Sequence, residues 1–192
     1  MNISADNKII AKTLANTLGI NPSVHRYRDD NDSLDLALFS CADPIDSKVR
    51  FYGTVGLSDY PTFQDGKEFP TRVEILGAAY SEEKYFPNIL ATIAFHSIRE
   101  KFFCSPDSVL ENAVLMYDAQ ATLPHVLFSP PYLWEDKLRT LKFENKTVAW
   151  VLAIPISEKE LQYREKNGTQ ALEELLEKNE ANIFDLHRKS VV

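Results

Sequence analysis

The sequence predicts an α+β fold, a mostly antiparallel mixed sheet with helices packed against it. Several segments alternate apolar and polar residues with the period of a strand, and others repeat apolar residues with the period of a helix. A nearly continuous apolar run, Val148 to Ile154, is typical of a strand that is buried on both faces. Because we find no repeat and no linker in the 192 residues, we expect a single domain over 1–192.

The first predicted element is a helix over residues 5–18, which has apolar residues at a spacing of four. Ser4 is placed to cap its start, and Gly19 to supply a left-handed residue after its end. Residues 24–33 are polar and are predicted to be irregular.

Three strands are predicted next, near residues 34–39, 49–57 and 72–79, where apolar residues alternate with polar ones. Their connections contain no helical pattern, so we expect an antiparallel meander. The link from Asp59 to Pro70 is long for a hairpin, and loops of this length are usually functional or mobile.

A central helix is predicted over residues 86–103, apolar around more than half of its circumference. Its remaining side carries Asn88, Thr92, His96 and Arg99. Such a helix is expected to pack on the sheet and to be covered by other elements as well.

In the C-terminal half we predict short strands near 113–117 and 125–128, and a central strand over 148–154 that Pro155 ends. Two helices should follow. The first opens with a capping box, Ser157 with Glu160, and stops near Gly168, and Thr169 is placed to cap the second. The tail is expected to dock on the fold through Ile183, Phe184 and Leu186.

The composition is acidic, with a net charge of −7 and a pI of about 5.1. No block of Lys and Arg is present, which argues against a nucleic-acid or anionic-membrane partner and is compatible with a basic protein partner. The N-terminus lacks signal-peptide features and no apolar run could span a bilayer, so we expect a cytoplasmic protein. Cys41 and Cys104 are expected to be reduced and buried.

The sequence carries no signature of catalysis. It has no P-loop, no nucleophile elbow and no histidine pair with metal-ligand spacing, so we predict no enzyme activity, no metal and no cofactor. Binding is the better interpretation. An unrecognised enzyme that uses His96, His125 and distant acids stays an alternative, to be judged by whether these groups converge in a cleft.

Five segments carry the most specific patterns of the chain: RVEILGAA at 72–79, FPNILATIAF at 86–95, LPHVLFSPPYLW at 123–134, WVLAIPISEKE at 150–160 and DLHRKSVV at 185–192. Together they resemble the suppressor-of-fused (SUFU) domain family, over most of the chain from about residue 30. The resemblance implies a SUFU-like fold and no catalytic residues.

The bacterial single-domain members of that family resemble antitoxins, or immunity proteins. The resemblance therefore implies a protein that binds and neutralises an LXG-type DNase toxin in the cytoplasm. Such a nuclease would be a basic partner, because its cleft must hold DNA phosphates. The alternative is a cytosolic adaptor that sequesters a regulatory partner, for instance by accepting an extended segment at a sheet edge.

Three sets of residues are candidates for contact with a partner. The acidic group comprises Asp29, Asp30 and Asp32, for which a plain solvated loop is the competing interpretation. The long loop offers Tyr60, Phe63 and Asp65, whose aromatic rings would serve the core as readily as an interface. The third candidate is the sheet face that bears Arg50, Tyr52 and Arg72.

Overall fold

The computed structural model describes residues 4–31, 33–134 and 137–192, and it confirms the predicted α+β class. An eight-stranded sheet is its main feature, and a two-stranded hairpin stands apart from it. The helices are α1 (Ala5–Thr17), α2 (Phe86–Arg99), α3 (Glu158–Asn167) and α4 (Thr169–Lys178). The strands are β1 (Ile20–Arg28), β2 (Asp35–Ala42), β3 (Val49–Val55), β4 (Thr62–Gln64), β5 (Lys67–Phe69), β6 (Thr71–Tyr80), β7 (Val109–Leu110), β8 (His125–Ser129), β9 (Leu141–Lys142) and β10 (Thr147–Ile156).

The sheet has the strand order β1-β2-β3-β6-β10-β8-β7, and β9 pairs with β10. The predicted antiparallel meander is confirmed as β2, β3 and β6. The apolar run is confirmed as the central strand β10, which is parallel to β6 and antiparallel to β8. Pro155 does not end β10, because pairing with β6 stops at Ala153 and the proline pairs only with β8, where its missing N–H is tolerated.

Helices cover both faces of this sheet. On one face, α2 packs on apolar residues of β2, β3, β6, β8 and β10, and the tail residue Leu186 joins this cluster. On the other face, α1, α3 and α4 pack on the alternate residues of the same strands. Two glycines allow close approach: a Cβ at Gly77 would lie 2.7 Å from the Phe86 ring of α2, and one at Gly53 would lie 2.9 Å from Leu14 of α1.

The first helix is confirmed, and Ser4 caps it through a 3.0 Å bond from the Asn7 N–H. Two expectations beyond it were wrong. Gly19 does not have a positive φ. A glycine is needed there because the backbone of β2 passes close to it: a Cβ at this position would lie 2.2 Å from the carbonyl oxygen of Ala42. The segment 24–33 is not wholly irregular, because β1 runs through it as far as Arg28 along the exposed sheet edge.

The predicted strand near 113–117 was also wrong. Within residues 109–117, Val109–Leu110 alone forms a strand, and it pairs with β8. Residues 111–117 form turns, in which Asn112 has a positive φ. The apolar residues of this segment serve packing instead: Ala113 and Val114 are buried in the α2 cluster. The link from Asp59 to Pro70 contains the β4–β5 hairpin, whose two-residue turn, Asp65-Gly66, has both residues at positive φ.

The C-terminal part follows the prediction closely. The capping box is confirmed, with Ser157 accepting from the Glu160 N–H and Glu160 accepting from the Ser157 N–H. Thr169 is the first residue of α4 and not its cap, which is Gly168. The tail is docked: the Arg188 guanidinium lies 2.6 Å from the fully buried Glu160 carboxylate and also donates to the Pro155 carbonyl.

Both cysteines are free thiols inside the fold, as predicted. Burial raises the pKa of Cys41 to about 11 and the pKa of Cys104 well above its usual value. None of the helices in the described part of the chain is long and apolar enough to cross a membrane.

Candidate protein-binding site

A groove of about 650 Å³ runs along the exposed side of α2, and we call it the α2 groove. One wall is the end of β1 and the turn after it, residues 27–30; the other is the segment 110–117. Its floor includes the four residues that the sequence placed on the polar side of the helix, namely Asn88, Thr92, His96 and Arg99. The helical periodicity therefore identified the residues that a ligand in this groove would meet.

Asp29 holds the β1–β2 turn to α2. Its side chain is almost fully buried and accepts hydrogen bonds from the Leu34 N–H and the Ser33 hydroxyl, both at 2.8 Å, and from the Arg99 guanidinium. Burial alone would raise the pKa of Asp29, but these hydrogen bonds and the charge of Arg99 outweigh it and lower the pKa to about 2. Asp29 is thus a structural anchor behind the groove wall.

The other members of the acidic group differ from Asp29. Asp30 is exposed and lines the groove, together with the exposed carboxylates of Glu100 and Glu111. Asp32 lies outside the described residues. The accessible acidic edge that the structure describes therefore consists of Asp30 and two glutamates that the sequence did not single out.

The candidate residues of the long loop gather at the C-terminal end of α2. Phe63 is half-buried, and the Lys101 ammonium lies 4.7 Å above its ring centroid. Asp65 is exposed at the hairpin tip. Tyr60 is half-buried, and its pKa is raised first by burial and then by neighbouring carboxylates, Asp29 among them. Tyr60 thus lies near the turn that Asp29 holds, and Phe63 lies beside Lys101 after α2.

A buried carboxylate that the sequence did not identify as important fixes the base of this loop. Glu74 is fully buried on β6 and accepts four hydrogen bonds, from the hydroxyls of Thr54 and Ser58 and from the N–H groups of Gly56 and Ser58. Burial raises its pKa, and these hydrogen bonds oppose the rise. Glu74 therefore sets the direction in which the chain leaves β3.

The third candidate set does not share one face of the sheet, so that expectation was wrong. Tyr52 pairs with Gly77, an odd number of residues from Arg72, and side chains alternate along a strand. Arg50 and Tyr52 line a cavity of about 230 Å³ on the α2 side. Arg72 lies on the opposite face, where it donates to the carbonyls of Ser58 and Asp59 and braces the loop.

The two histidines named for a possible enzyme lie in different surroundings. His96 lines the α2 groove. His125 is buried: its Nδ1 accepts the Asn112 N–H at 3.1 Å, so its Nε2 carries the proton that it donates to Glu158 at 2.9 Å. Over residues 4–31, 33–134 and 137–192, no group of three or more His, Cys, Asp or Glu is placed to hold a metal ion.

Two groove residues were missed because the sequence assigned them to a strand. Met116 is 70% exposed, and the Tyr117 hydroxyl lies 2.6 Å from that of Thr92 on α2. Both line the groove. The available signal was that residues 113–117 are apolar without alternation, which does not suit a half-buried strand.

Comparisons with known proteins were made on the sequence and on the fold. The family model for Suppressor of fused protein (SUFU) matches residues 30–189. The chain is 40% identical to the Immunity protein YqcF of Bacillus subtilis (strain 168) over 192 residues, which is the full length of both proteins.

Solved structures show the same fold at low sequence identity. The crystal structure of a putative SUFU homologue from Neisseria gonorrhoeae FA 1090 aligns with a TM-score of 0.67 at 16% identity, covering 97% of this chain and 96% of that one. A chain of the Sufu–Fu complex crystal structure aligns with a TM-score of 0.66 at 12% identity, covering 98% of this chain and 91% of that one. By its sequence match and its fold, the chain belongs to the suppressor of fused (SUFU) family.

Proposed function

We propose that this chain is an immunity protein, an antitoxin that binds a protein toxin and neutralises it. The observation that carries the proposal is the 40% identity to the Immunity protein YqcF, which extends over the whole of both chains. The finer proposal follows the resemblance seen in the sequence: the toxin is an LXG-type toxin with DNase activity, and the two proteins meet in the cytoplasm.

The charge of the chain supports a nuclease as the partner. A DNase must hold phosphates, so its cleft is expected to be basic. This chain carries a net charge of −7, and opposite net charges accelerate the encounter of two proteins and orient it. Covering the basic cleft would deny DNA access to it without any reaction by the immunity protein.

We propose that the partner contacts the chain at the C-terminal end of α2, because Arg99 there binds Asp29 of the turn and the neighbouring Lys101 lies over Phe63 of the loop. Asp30 and Asp65 supply exposed negative charge there, and Phe63 and Tyr60 supply half-buried rings of the kind that anchor interfaces. Asp29 and Arg72 act behind this surface as positioning residues, because their side chains bind the β1–β2 turn and the loop base. Arg50 and Tyr52 line a separate cavity on the α2-side face of β1, β2 and β3, and they belong to the interface only if the partner also covers that face.

The direct test is co-expression with a candidate LXG-type toxin that has DNase activity. We expect the two proteins to co-purify, and DNA cleavage by the toxin to be lost in the complex. Inhibition should depend on the amount of immunity protein and not on the time of incubation, because the effect is binding. A chain that fails to protect cells that express this toxin would contradict the proposal.

The location of the contact is tested by the double variant Asp30→Asn/Asp65→Asn, with Asp46→Asn/Glu144→Gln as a control of equal charge change. Asp46 and Glu144 are exposed and line neither the α2 groove nor the hairpin. We expect the first variant to bind the toxin about threefold to tenfold more weakly, because rim charges contribute modestly, and the control to bind normally. Equal affinities would move the contact elsewhere.

One observation favours the adaptor alternative, in which the chain holds an extended segment of a regulatory partner. The edge strand β1 has nine residues, all exposed or half-exposed, and within the described residues it pairs with β2 alone. Its outer backbone groups can accept another strand. Replacing Val24 by proline would remove a backbone donor from this edge. Loss of a partner captured from the host, with unchanged protection against the toxin, would support the adaptor function.

A further inference from the structure

A second groove, of about 710 Å³, lies on the opposite side of the sheet from α2, and we call it the α4 groove. Helix α4 forms one wall, the segment 129–133 after β8 forms another, and residues 180–184 of the tail close it. The segment 129–133 is distant in the sequence from α4 and from the tail segment that directly follows α4. The sequence therefore did not predict this groove.

The floor of the α4 groove is apolar. Ile154 of β10 and Leu176 of α4 are both buried, and they contribute to the floor with Leu133 and the half-buried tail residues Ile183 and Phe184. A floor of this kind favours a ligand with apolar side chains, because it offers few hydrogen-bonding groups to a hydrated ion.

The rim of the same groove is acidic. It carries Glu173, Glu174, Glu177 and Glu180, and among the residues that the structure describes no Lys, Arg or His lines the groove. Glu173 accepts a 2.6 Å hydrogen bond from the Ser129 hydroxyl, and Glu174 is bonded to Gln170 of the same helix. Within the described residues none of the four carboxylates forms an ion pair with a basic side chain. Their charge is thus available to a ligand.

We propose that the α4 groove binds a basic amphipathic segment of a partner protein. Apolar side chains of that segment lie on the floor, and its Lys or Arg side chains reach the glutamates of the rim. Exposed charge pairs add modest affinity individually, while the apolar floor supplies the contact area. That the partner is the toxin rests on the proposed function; the preference of the groove for this kind of segment does not.

The test uses a fluorescein-labelled amphipathic peptide of leucine and lysine at helical spacing, with a leucine–glutamate peptide of equal length as the comparison. Binding is measured by fluorescence anisotropy. The chain carries either Glu174→Gln/Glu177→Gln, both in exposed positions of the rim, or the control Glu144→Gln/Glu165→Gln, also exposed but outside the groove. Circular dichroism confirms that all variants are folded.

We expect the lysine peptide to bind the wild-type chain, and the rim variant to bind it about threefold to tenfold more weakly. The control should bind within about twofold of wild type, although it loses the same net charge. No binding would overturn the proposal. Equal losses of affinity in both variants would also overturn it, because the attraction would then come from the total charge of the chain. Equal binding of the glutamate peptide would overturn it as well.

The same variants, co-expressed with the toxin, separate the two proposals. If the wild-type chain protects cells but does not bind the lysine peptide, the proposed immunity function stands and the proposed role of the α4 groove is wrong. If the chain binds the peptide through the rim but gives no protection, the proposed role of the α4 groove stands and the proposed immunity function is wrong.

Discussion

The two grooves differ in what their charges do. In the α2 groove, Asp29 and Arg99 are paired with each other, and Asp29 also holds a backbone N–H, so these charges belong to the architecture of the wall. In the α4 groove, Glu174 and Glu177 are exposed and have no basic partner among the described residues. A carboxylate from an acidic cluster in the sequence can therefore be an internal anchor, while glutamates on the solvent side of a helix can form an accessible rim.

The largest expected effect comes from the tail that closes the α4 groove. Arg188→Met leaves the Glu160 carboxylate buried without its cation, and breaking a buried ion pair of this kind costs about 3–5 kcal/mol of folding free energy. Equilibrium urea unfolding measures the loss. The double variant Glu160→Gln/Arg188→Met should recover part of it, because no unpaired charge remains. A loss below about 1 kcal/mol would show that the ion pair does not hold the tail.

A smaller effect is expected where α2 crosses the sheet. In Gly77→Ala the new methyl group would lie 2.7 Å from the ring of Phe86 and 2.9 Å from Leu90, both fully packed, so α2 has to shift. Overpacking of this kind typically costs about 1–3 kcal/mol in the free energy of unfolding. Thermal and urea unfolding measure it, and Phe86→Leu in the same chain should relieve part of the cost. Ligand binding in the α4 groove should stay unchanged.

The paired charge of the α2 groove predicts a pH dependence. The pKa of Asp29 is lowered from 3.8 to about 2 in the folded chain, so its stabilisation is present above pH 3.8 and is lost as the pH falls through 2. The stability difference between wild type and Asp29→Asn should therefore be constant near neutral pH and shrink between pH 3.8 and 2. Urea unfolding at several pH values measures it. A difference that does not change with pH would contradict the role of the charge.

The smallest effect is expected at the α4 rim, and it has the opposite sign. Glu177 lies one turn after Glu173 in the last turns of α4, where a negative charge is repelled by its neighbour and by the helix dipole. Glu177→Gln should therefore raise the free energy of unfolding by about 0.2–0.5 kcal/mol. Glu165→Gln should gain less, because Glu165 also lies in the last turn of its helix but has no acidic residue one turn away on α3. A destabilised Glu177→Gln chain would mean that this carboxylate has a structural partner.

The sequence predicted the elements in which each face keeps the same degree of burial from one end to the other. Val148–Ile154 was identified as a central strand because both of its faces meet helices, and the polar side of α2 was identified because the rest of that helix is buried. The edge strand β1 was missed for the corresponding reason. Solvent reaches both of its faces, so Ser23 to Arg28 show no alternation of apolar and polar residues.

The candidate sites depend on contacts between distant parts of the chain, which local sequence patterns do not predict. Asp29 was identified as acidic, but its partner Arg99 is 70 residues away, so only the fold shows that the charge is used internally. The α4 groove needs residues 129–133 and Ile154 beside α4 and the tail segment that follows it, and no local signal connects these parts of the chain. The β4–β5 hairpin was within reach, because Asp65-Gly66 is a strong two-residue turn signal that the length of the loop obscured.

The buried cysteines have a practical consequence for experiments on either groove. Cys41 and Cys104 are shielded from solvent, and their raised pKa values keep both as thiols rather than reactive thiolates near neutral pH. A fluorophore or spin label carried on maleimide should therefore ignore them in the native state. One engineered cysteine at Asp65 could then report on the β4–β5 hairpin, and one at Glu177 on the α4 groove, in an otherwise natural chain with no need to remove the native residues first.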